Sequence, residues 1–185
     1  KDIYLLHMKF TKRIFLILIA CAITTNICAI QFRHLSIKDG LSQLSVLSIY
    51  QDKLGRMWFG TEEGINVFDG NNLTAIKTLR NIPPQNLEVR WICGDEKGNI
   101  YFQLGTSIVC IDFATQSNTV LVKKGVTTLC HHSGKIYYAS RGSVYIYNIA
   151  KQSTHCMGQL TKDNIKVLHI DSRGTLWFGT HNGLF

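Results

Sequence analysis

The sequence predicts an all-β chain in which one small antiparallel sheet is repeated, and three observations carry the prediction. The stretch "DKLGRMWFGTEEG" (52–64) returns as "DSRGTLWFGTHNG" (171–183), 119 positions later. Between them lie two weaker copies, so that Gly55, Gly98, Gly134 and Gly174 follow one another at steps of 43, 36 and 40 residues. Each copy consists of short runs of β-forming residues separated by Gly- and Asp-containing reversals. A strand-rich unit with a period near 40 is the signature of a β-propeller blade.

The first copy shows the unit most clearly. "VLSIYQ" (46–51), "RMWFG" (56–60), "INVFD" (65–69) and "LTAIK" (73–77) read as four strands. Asp52 and Gly55 are spaced as the end residues of a type I turn, and "TEEG" and "DGNN" supply the next two reversals. Asp52, Gly55, Trp58, Gly60, Thr61 and Gly64 recur as Asp171, Gly174, Trp177, Gly179, Thr180 and Gly183. The second copy keeps Asp95, Gly98 and Tyr101, and the third Gly134 and Tyr137. In the third copy His131 stands in the place of the Asp, and Val126 to Leu129 fall one residue out of step, so its first turn is expected to be shorter. Repeat cores are placed at 46–76, 89–112, 126–148 and 165–185.

Trp58, Tyr101, Tyr137 and Trp177 share one slot on the second strand. A ring burying about 200 Å² at ~25 cal/mol per Å² contributes roughly 5 kcal/mol, several times a net hydrogen bond. Repetition in register points to packing between blades rather than to stacking on a ligand. "QFRHLS" (31–36) is too short for a blade and fits the outer strand of a closing one. The chain ends at Phe185 within the third strand of copy four. It therefore reads as an incomplete propeller, about four four-stranded blades of a larger ring.

The first thirty residues are expected to lie outside the fold. Residues 1–7 read as an upstream extension. From Met8, "MKFTKR" is followed by the apolar "IFLILIACAI" (14–23) and by "TTNICA", ending at Ala29. A basic start, a short apolar run and a small terminal residue make a secretory signal peptide over 8–29. The run is too short for a spanning helix. Lipidation at Cys21, within "LIAC", is the rival to cleavage after Ala29. Residues 30–185 would then form an exported domain.

Composition argues against several function classes. Net charge is +8, and the leader accounts for +3 of it through Lys1, Lys9, Lys12 and Arg13 against Asp2. The remaining +5 is dispersed, with Lys123-Lys124 the only adjacent pair, whereas nucleic-acid binders concentrate charge on one face. No nucleic-acid contact is expected. Beyond the leader, Cys93, Cys110, Cys130 and Cys156 show no CxxC spacing, and bridges or buried thiols both remain open.

No catalytic residue, metal site or cofactor is expected. Cys130-His131-His132 has no second ligand pair at zinc spacing, and zinc needs three or four ligands. Glu62 and Glu63 are neighbours in one turn and cannot flank a scissile glycosidic bond by themselves. Phosphate loops, nucleophile elbows and Cys/His nucleophile patterns do not occur in the sequence.

For binding, geometry narrows the choice of residues. If the first strand of each blade lines the channel, the turns between second and third strands share a face with the links between blades. "TEEG" (61–64), "LGTS" (104–107), "SRGS" (140–143) and "THNG" (180–183) lie there, with the link "LRNIPPQNLEVR" (79–90), stiffened by Pro83-Pro84. Amides, carboxylates and guanidinium groups on such loops suit a sugar. The candidate ligand-binding residues are Glu62, Glu63, Arg80, Asn81, Asn86, Arg90, Arg141, His181 and Asn182.

"FRHLSIKDGLSQLSVLSIYQDKLGRMWFGTEEGINVFDG" (32–70) and "HIDSRGTLWFGTHNGL" (169–184) resemble the sensor region of bacterial two-component regulator propeller proteins. The "DGLS" entry, the "QDxxGxMWFGT" core and the "GINVFDG" exit carry the likeness, which weakens in copies two and three. The resemblance implies seven-bladed rings, then an immunoglobulin-like domain, a membrane helix and a histidine kinase, with receiver and DNA-binding domains commonly following. It implies an oligosaccharide ligand, a homodimer in the full-length protein, and membrane attachment only through downstream segments. Two other readings stay open: an exported propeller that binds a glycan or protein without signalling, and a propeller lyase or hydrolase with catalytic residues beyond 185.

Overall fold

Turn chemistry divides the chain into four antiparallel sheets. The structure is a computed structural model that describes residues 32–76, 87–112, 114–115 and 117–185. The proposed leader, and Arg80, Asn81 and Asn86 of the candidate site, lie outside the described residues. Residues 35–185 form one unit, to which everything below refers.

The first sheet runs β1 (Val46–Gln51), β2 (Met57–Thr61), β3 (Gly64–Phe68) and β4 (Leu73–Ala75). The second runs β5 (Val89–Gly94), β6 (Ile100–Leu104), β7 (Ser107–Asp112) and β8 (Ser117–Val122). The third has β9 (Thr128–His132), β10 (Lys135–Ser140), β11 (Ser143–Asn148) and β12 (Ser153–Gln159), and the fourth β13 (Val167–Ile170), β14 (Leu176–Thr180) and β15 (Gly183–Leu184). Strands pair in sequence order within every sheet. The first strands abut in turn, β1 against β5, β5 against β9, and β9 against β13. Four blades around a common axis are the result: a β-propeller with four-stranded sheets in blades one to three and three strands in blade four.

A carboxylate organises the first turn of three blades. Asp52 Oδ1 accepts from the amides of Leu54 and Arg56 at 2.9 and 3.0 Å, while Oδ2 accepts from Arg56 Nε at 2.7 Å and Trp58 Nε1 at 2.9 Å. Asp95 repeats this with the amides of Lys97 and Asn99, the Asn99 side chain and the Tyr101 hydroxyl. Asp171 takes the amides of Arg173 and Thr175 and Trp177 Nε1, the last at 3.2 Å. The turn residue thus also holds the packing ring six positions on.

Three cores lie between successive blades. Trp58 and Ile65 pack with Val89, Ile100, Phe102 and Val109 between blades one and two. Tyr101 and Ile108 meet Val126, Leu129, Ile136 and Tyr138 between two and three. The third core departs from the expected pattern: Ala139, Val144, Ile165 and Leu168 fill it, with Cys130, Leu176 and Phe178 alongside. Tyr137 holds the expected register slot, opposite Cys130, yet stays half-buried and outside that core. The cause lies in the turn before it. His131 and His132 are drawn into β9, paired with Ile136 and Lys135, and Ser133-Gly134 alone reverse the chain with φ of 48° and 71°. That turn is short, and no carboxylate stands before it to receive the tyrosine hydroxyl. Both histidines are therefore strand residues. Trp177 keeps its aspartate but is 39% exposed, since no described blade follows it.

The "DGLS" entry is stitched to blade one. A 3-10 helix (Ile37–Asp39) ends at Gly40 with φ 112°, and Ser42 exchanges hydrogen bonds with Asn66 and meets the Thr61 hydroxyl at 2.9 Å. Residues 32–36 form no strand here. Cys93, Cys110, Cys130 and Cys156 are all free thiols. Burial pushes the thiols of Cys93, Cys110 and Cys130 upward, Cys110 to about 12 and Cys130 to about 11, so they stay protonated and unreactive.

Candidate functional site

The turns between second and third strands do share a face with the links. Gly105 N donates to Glu88 O at 2.8 Å, Val126 N to Thr106 O at 3.0 Å, and Leu160 N to Gly142 O at 3.0 Å. Each bond joins such a turn to an adjoining link. On this face the first strands border a cleft of about 940 Å³ at the channel.

Three side-chain bonds close the seams between successive blades. Ser48 Oγ donates to Val89 O (3.2 Å), Gln103 Nε2 to Val126 O (3.0 Å) and Thr127 Oγ1 to Ile165 O (2.8 Å). The acceptor is always the carbonyl near the start of the next blade's first strand. Ser48, Gln103 and Thr127 all line the cleft.

A bulge shapes the middle of the cleft. β5 pairs Val89 with Leu104 and then Ile92 with Phe102, so Arg90 and Trp91 together stand opposite Gln103. Bulges of this kind re-aim side chains and occur beside functional sites. Arg90 is exposed, its guanidinium 2.5 Å from the Glu88 carboxylate, and all four of these residues line the cleft. Gln103 is 4% exposed, and both of its amide protons are used, on Gly105 O and Val126 O. Its Oε1 is buried and has no partner. Lys166 borders the same cleft from the link into blade four and is exposed.

Of the described candidates, Arg90 alone reaches this cleft. Glu62 and Glu63 are exposed in the β2–β3 turn, where Glu62 accepts from Gln43 Nε2 at 2.9 Å. Arg141 is exposed in the β10–β11 turn at φ 48°. His181 and Asn182 are exposed in the β14–β15 turn, and Asn182 Nδ2 donates to Asp163 Oδ2 at 2.8 Å. These residues share the face but are spread over three blades. Gln103, Trp91 and Lys166 escaped the sequence reading. Gln103 had a signal, since it occupies the position that the other copies give to Gly60, Ala139 and Gly179. Among the described residues no group of three or more His, Cys, Asp or Glu side chains is placed to hold a metal. No described helix is long and apolar enough to cross a membrane.

Comparison with known proteins agrees with this architecture. The family described as two component regulator propeller matches residues 40–63 and 159–182. These segments contribute the second strands of blades one and four, including Trp58 and Trp177. The chain is similar to Histidine kinase P4 of Formosa agariphila, 43% identical over 58 residues, which is 31% of this chain and 4% of that kinase. The extracellular domain of the putative hybrid two component system BT4673 from B. thetaiotaomicron superposes with a TM-score of 0.69 at 14% identity, over 82% of this chain and 21% of that one. Streptogramin B lyase does so with a TM-score of 0.64 at 15% identity, over 80% and 56%. At such identities the likeness is one of fold. The chain thus spans a small part of the length of the sensor and kinase it resembles. The chain is thus a β-propeller whose repeats in blades one and four match the two component regulator propeller model.

Proposed function

We propose that this propeller is the exported ligand-sensing segment of a hybrid two-component histidine kinase, which detects oligosaccharides and controls genes for polysaccharide use. The observation that carries the reading is the pair of family repeats built into a single propeller. The kinase relative and the hybrid-system extracellular domain among the solved folds support it. A propeller suits sensing because its blades are rigid while its loops and channel mouth vary. In this mechanism a glycan binds on the face where turns and links meet, rearranges a homodimer, and alters kinase output through segments outside this chain. Only differential affinity for the two dimer states lets a ligand shift that equilibrium.

The test uses the full-length protein in membrane vesicles. Autophosphorylation is followed while a chemically diverse oligosaccharide panel is added, and titration calorimetry measures binding in parallel. A change in phosphorylation with one glycan class is expected. Binding without such a change would favour the non-signalling binder, and silence in both assays would defeat the sensing role.

A further inference from the structure

We infer that the channel-mouth cleft takes an acidic saccharide, one bearing carboxylate or sulfate groups, with Arg90 and Lys166 as the anion-recognising residues. This inference rests on the sensing role proposed above and adds the chemical class of the ligand and its place.

Three observations converge on it. The β5 bulge sets Arg90 and Trp91 opposite one residue, Gln103, and so brings a guanidinium and an indole to the same wall. A guanidinium presents its donors as a planar fork that matches a carboxylate or sulfate, and an indole offers a sugar ring an apolar face with a polar edge. Glu88 orients the Arg90 fork at 2.5 Å but leaves the wall cationic, because Lys166 borders the cleft as well. Finally, Gln103 is 96% buried, spends both amide protons on backbone carbonyls, and retains a buried Oε1 with no donor. Native structures rarely leave such an acceptor unmet, and Gln103 borders the cleft. Cationic groups, an aromatic face and an unmet acceptor in one cleft describe a sugar that carries negative charge.

The probes are oligogalacturonate beside its methyl ester, and a sulfated oligosaccharide beside its desulfated form, titrated calorimetrically into the full-length protein. The expected result is binding of at least one acidic probe, about tenfold or more tighter than its neutral counterpart and weaker as salt rises. The carboxylate and sulfate arms identify the acidic group. Arg90→Gln and Lys166→Gln are each expected to weaken that binding about fivefold or more. Lys97→Gln, which removes a charge from a β5–β6 turn outside the cleft, is expected to leave it unchanged. Circular dichroism of each variant verifies the fold. Equal affinity for acidic and neutral forms, or unaltered affinity in both cleft variants, overturns the inference. Binding confined to neutral glycans overturns it while leaving the sensing role intact, and binding of no glycan overturns both.

Discussion

Trp58 and Asp52 are joined across the first turn of blade one, the indole Nε1 donating to Oδ2 at 2.9 Å with the ring 2% exposed. Asp95 and Tyr101 repeat the relationship at 2.8 Å. The residue that makes the turn therefore also fixes the ring that spaces the blades, which couples local chain reversal to long-range packing.

Removing that carboxylate has an expected cost. Asp52→Ala deprives the buried indole N–H and the Arg56 guanidinium of a common partner, and unsatisfied buried donors cost about 1–3 kcal/mol each. A total loss of ~3 kcal/mol is expected in urea unfolding. Trp58→Phe keeps most of the ring and forfeits only the donor and some area, so a loss nearer ~1–2 kcal/mol is expected. Asp52→Ala at the cost of an ordinary surface change, about 0.5 kcal/mol, would refute the coupling.

The same bonds predict an acid limb. Burial pushes the carboxyls of Asp52 and Asp95 upward, but hydrogen bonds outweigh it, from Trp58 and Arg56 in one case and from Asn99 and Tyr101 in the other. Both therefore lie below the ordinary carboxylate value. A folded pKa below the unfolded one contributes stability that is present above the unfolded value and is lost as pH falls through the window beneath it. The contribution is expected to be constant from neutrality to about pH 4 and to fall below that. Urea midpoints between pH 6 and 3 check this. A double Asp52→Asn, Asp95→Asn variant with an unaltered acid limb would count against it.

Gly60 sits where a β-carbon would overlap Ser48 Oγ and the Val89 carbonyl and stand 2.7 Å from Val89 Cγ1. Those are the two groups of the seam bond between blades one and two. Gly60→Ala is expected to cost ~2–3 kcal/mol through overpacking and loss of that bond. Gly55, at φ +79° with nothing within 4 Å, is held by conformation alone, and Gly55→Ala is expected to cost only about 1 kcal/mol. Thermal unfolding of the two variants gives the comparison, and a reversed order would remove close approach as the reason for the glycine in "WFGT".

Much of this was legible because blades repeat. "VLSIYQ" is β1 to the residue, and the Asp-x-x-Gly spacing located the first turn in copies one, two and four. The face shared by turns and links also followed from strand order alone. What escaped were interactions at unequal sequence separation. The Asp–aromatic bond was missed because each partner already had a sufficient local role, as turn residue or as packing ring. Tyr137 was assigned to a core by its register, although its ring lacks the carboxylate that positions Trp58 and Tyr101. The cleft depends on a bulge that pairs Arg90 and Trp91 with Gln103, and register slips leave little trace in a run such as "VRWICG". Loop polarity accordingly pointed to the face that holds the cleft, and among the described candidates only Arg90 lines it.

His131 provides the last prediction. Its ring stacks on Tyr101 across the seam of blades two and three, with centroids 6.4 Å apart and planes within 4°. Its Nε2 is buried without a partner. Burial lowers its pKa below the ordinary 6.5, opposed by the charge of Asp95 and assisted by His132. The unfolded chain then binds the proton first, so this residue's effect is to reduce stability as pH falls from about 6.5 toward the folded value, and not above it. His131→Phe keeps a ring on Tyr101 and removes both the unmet nitrogen and the titration. A gain of about 1 kcal/mol at pH 7 is expected, widening as pH falls to 5. Urea midpoints of the two proteins at pH 7, 6 and 5 decide it, because parallel pH profiles would mean that this imidazole is solvated rather than held dry between the blades.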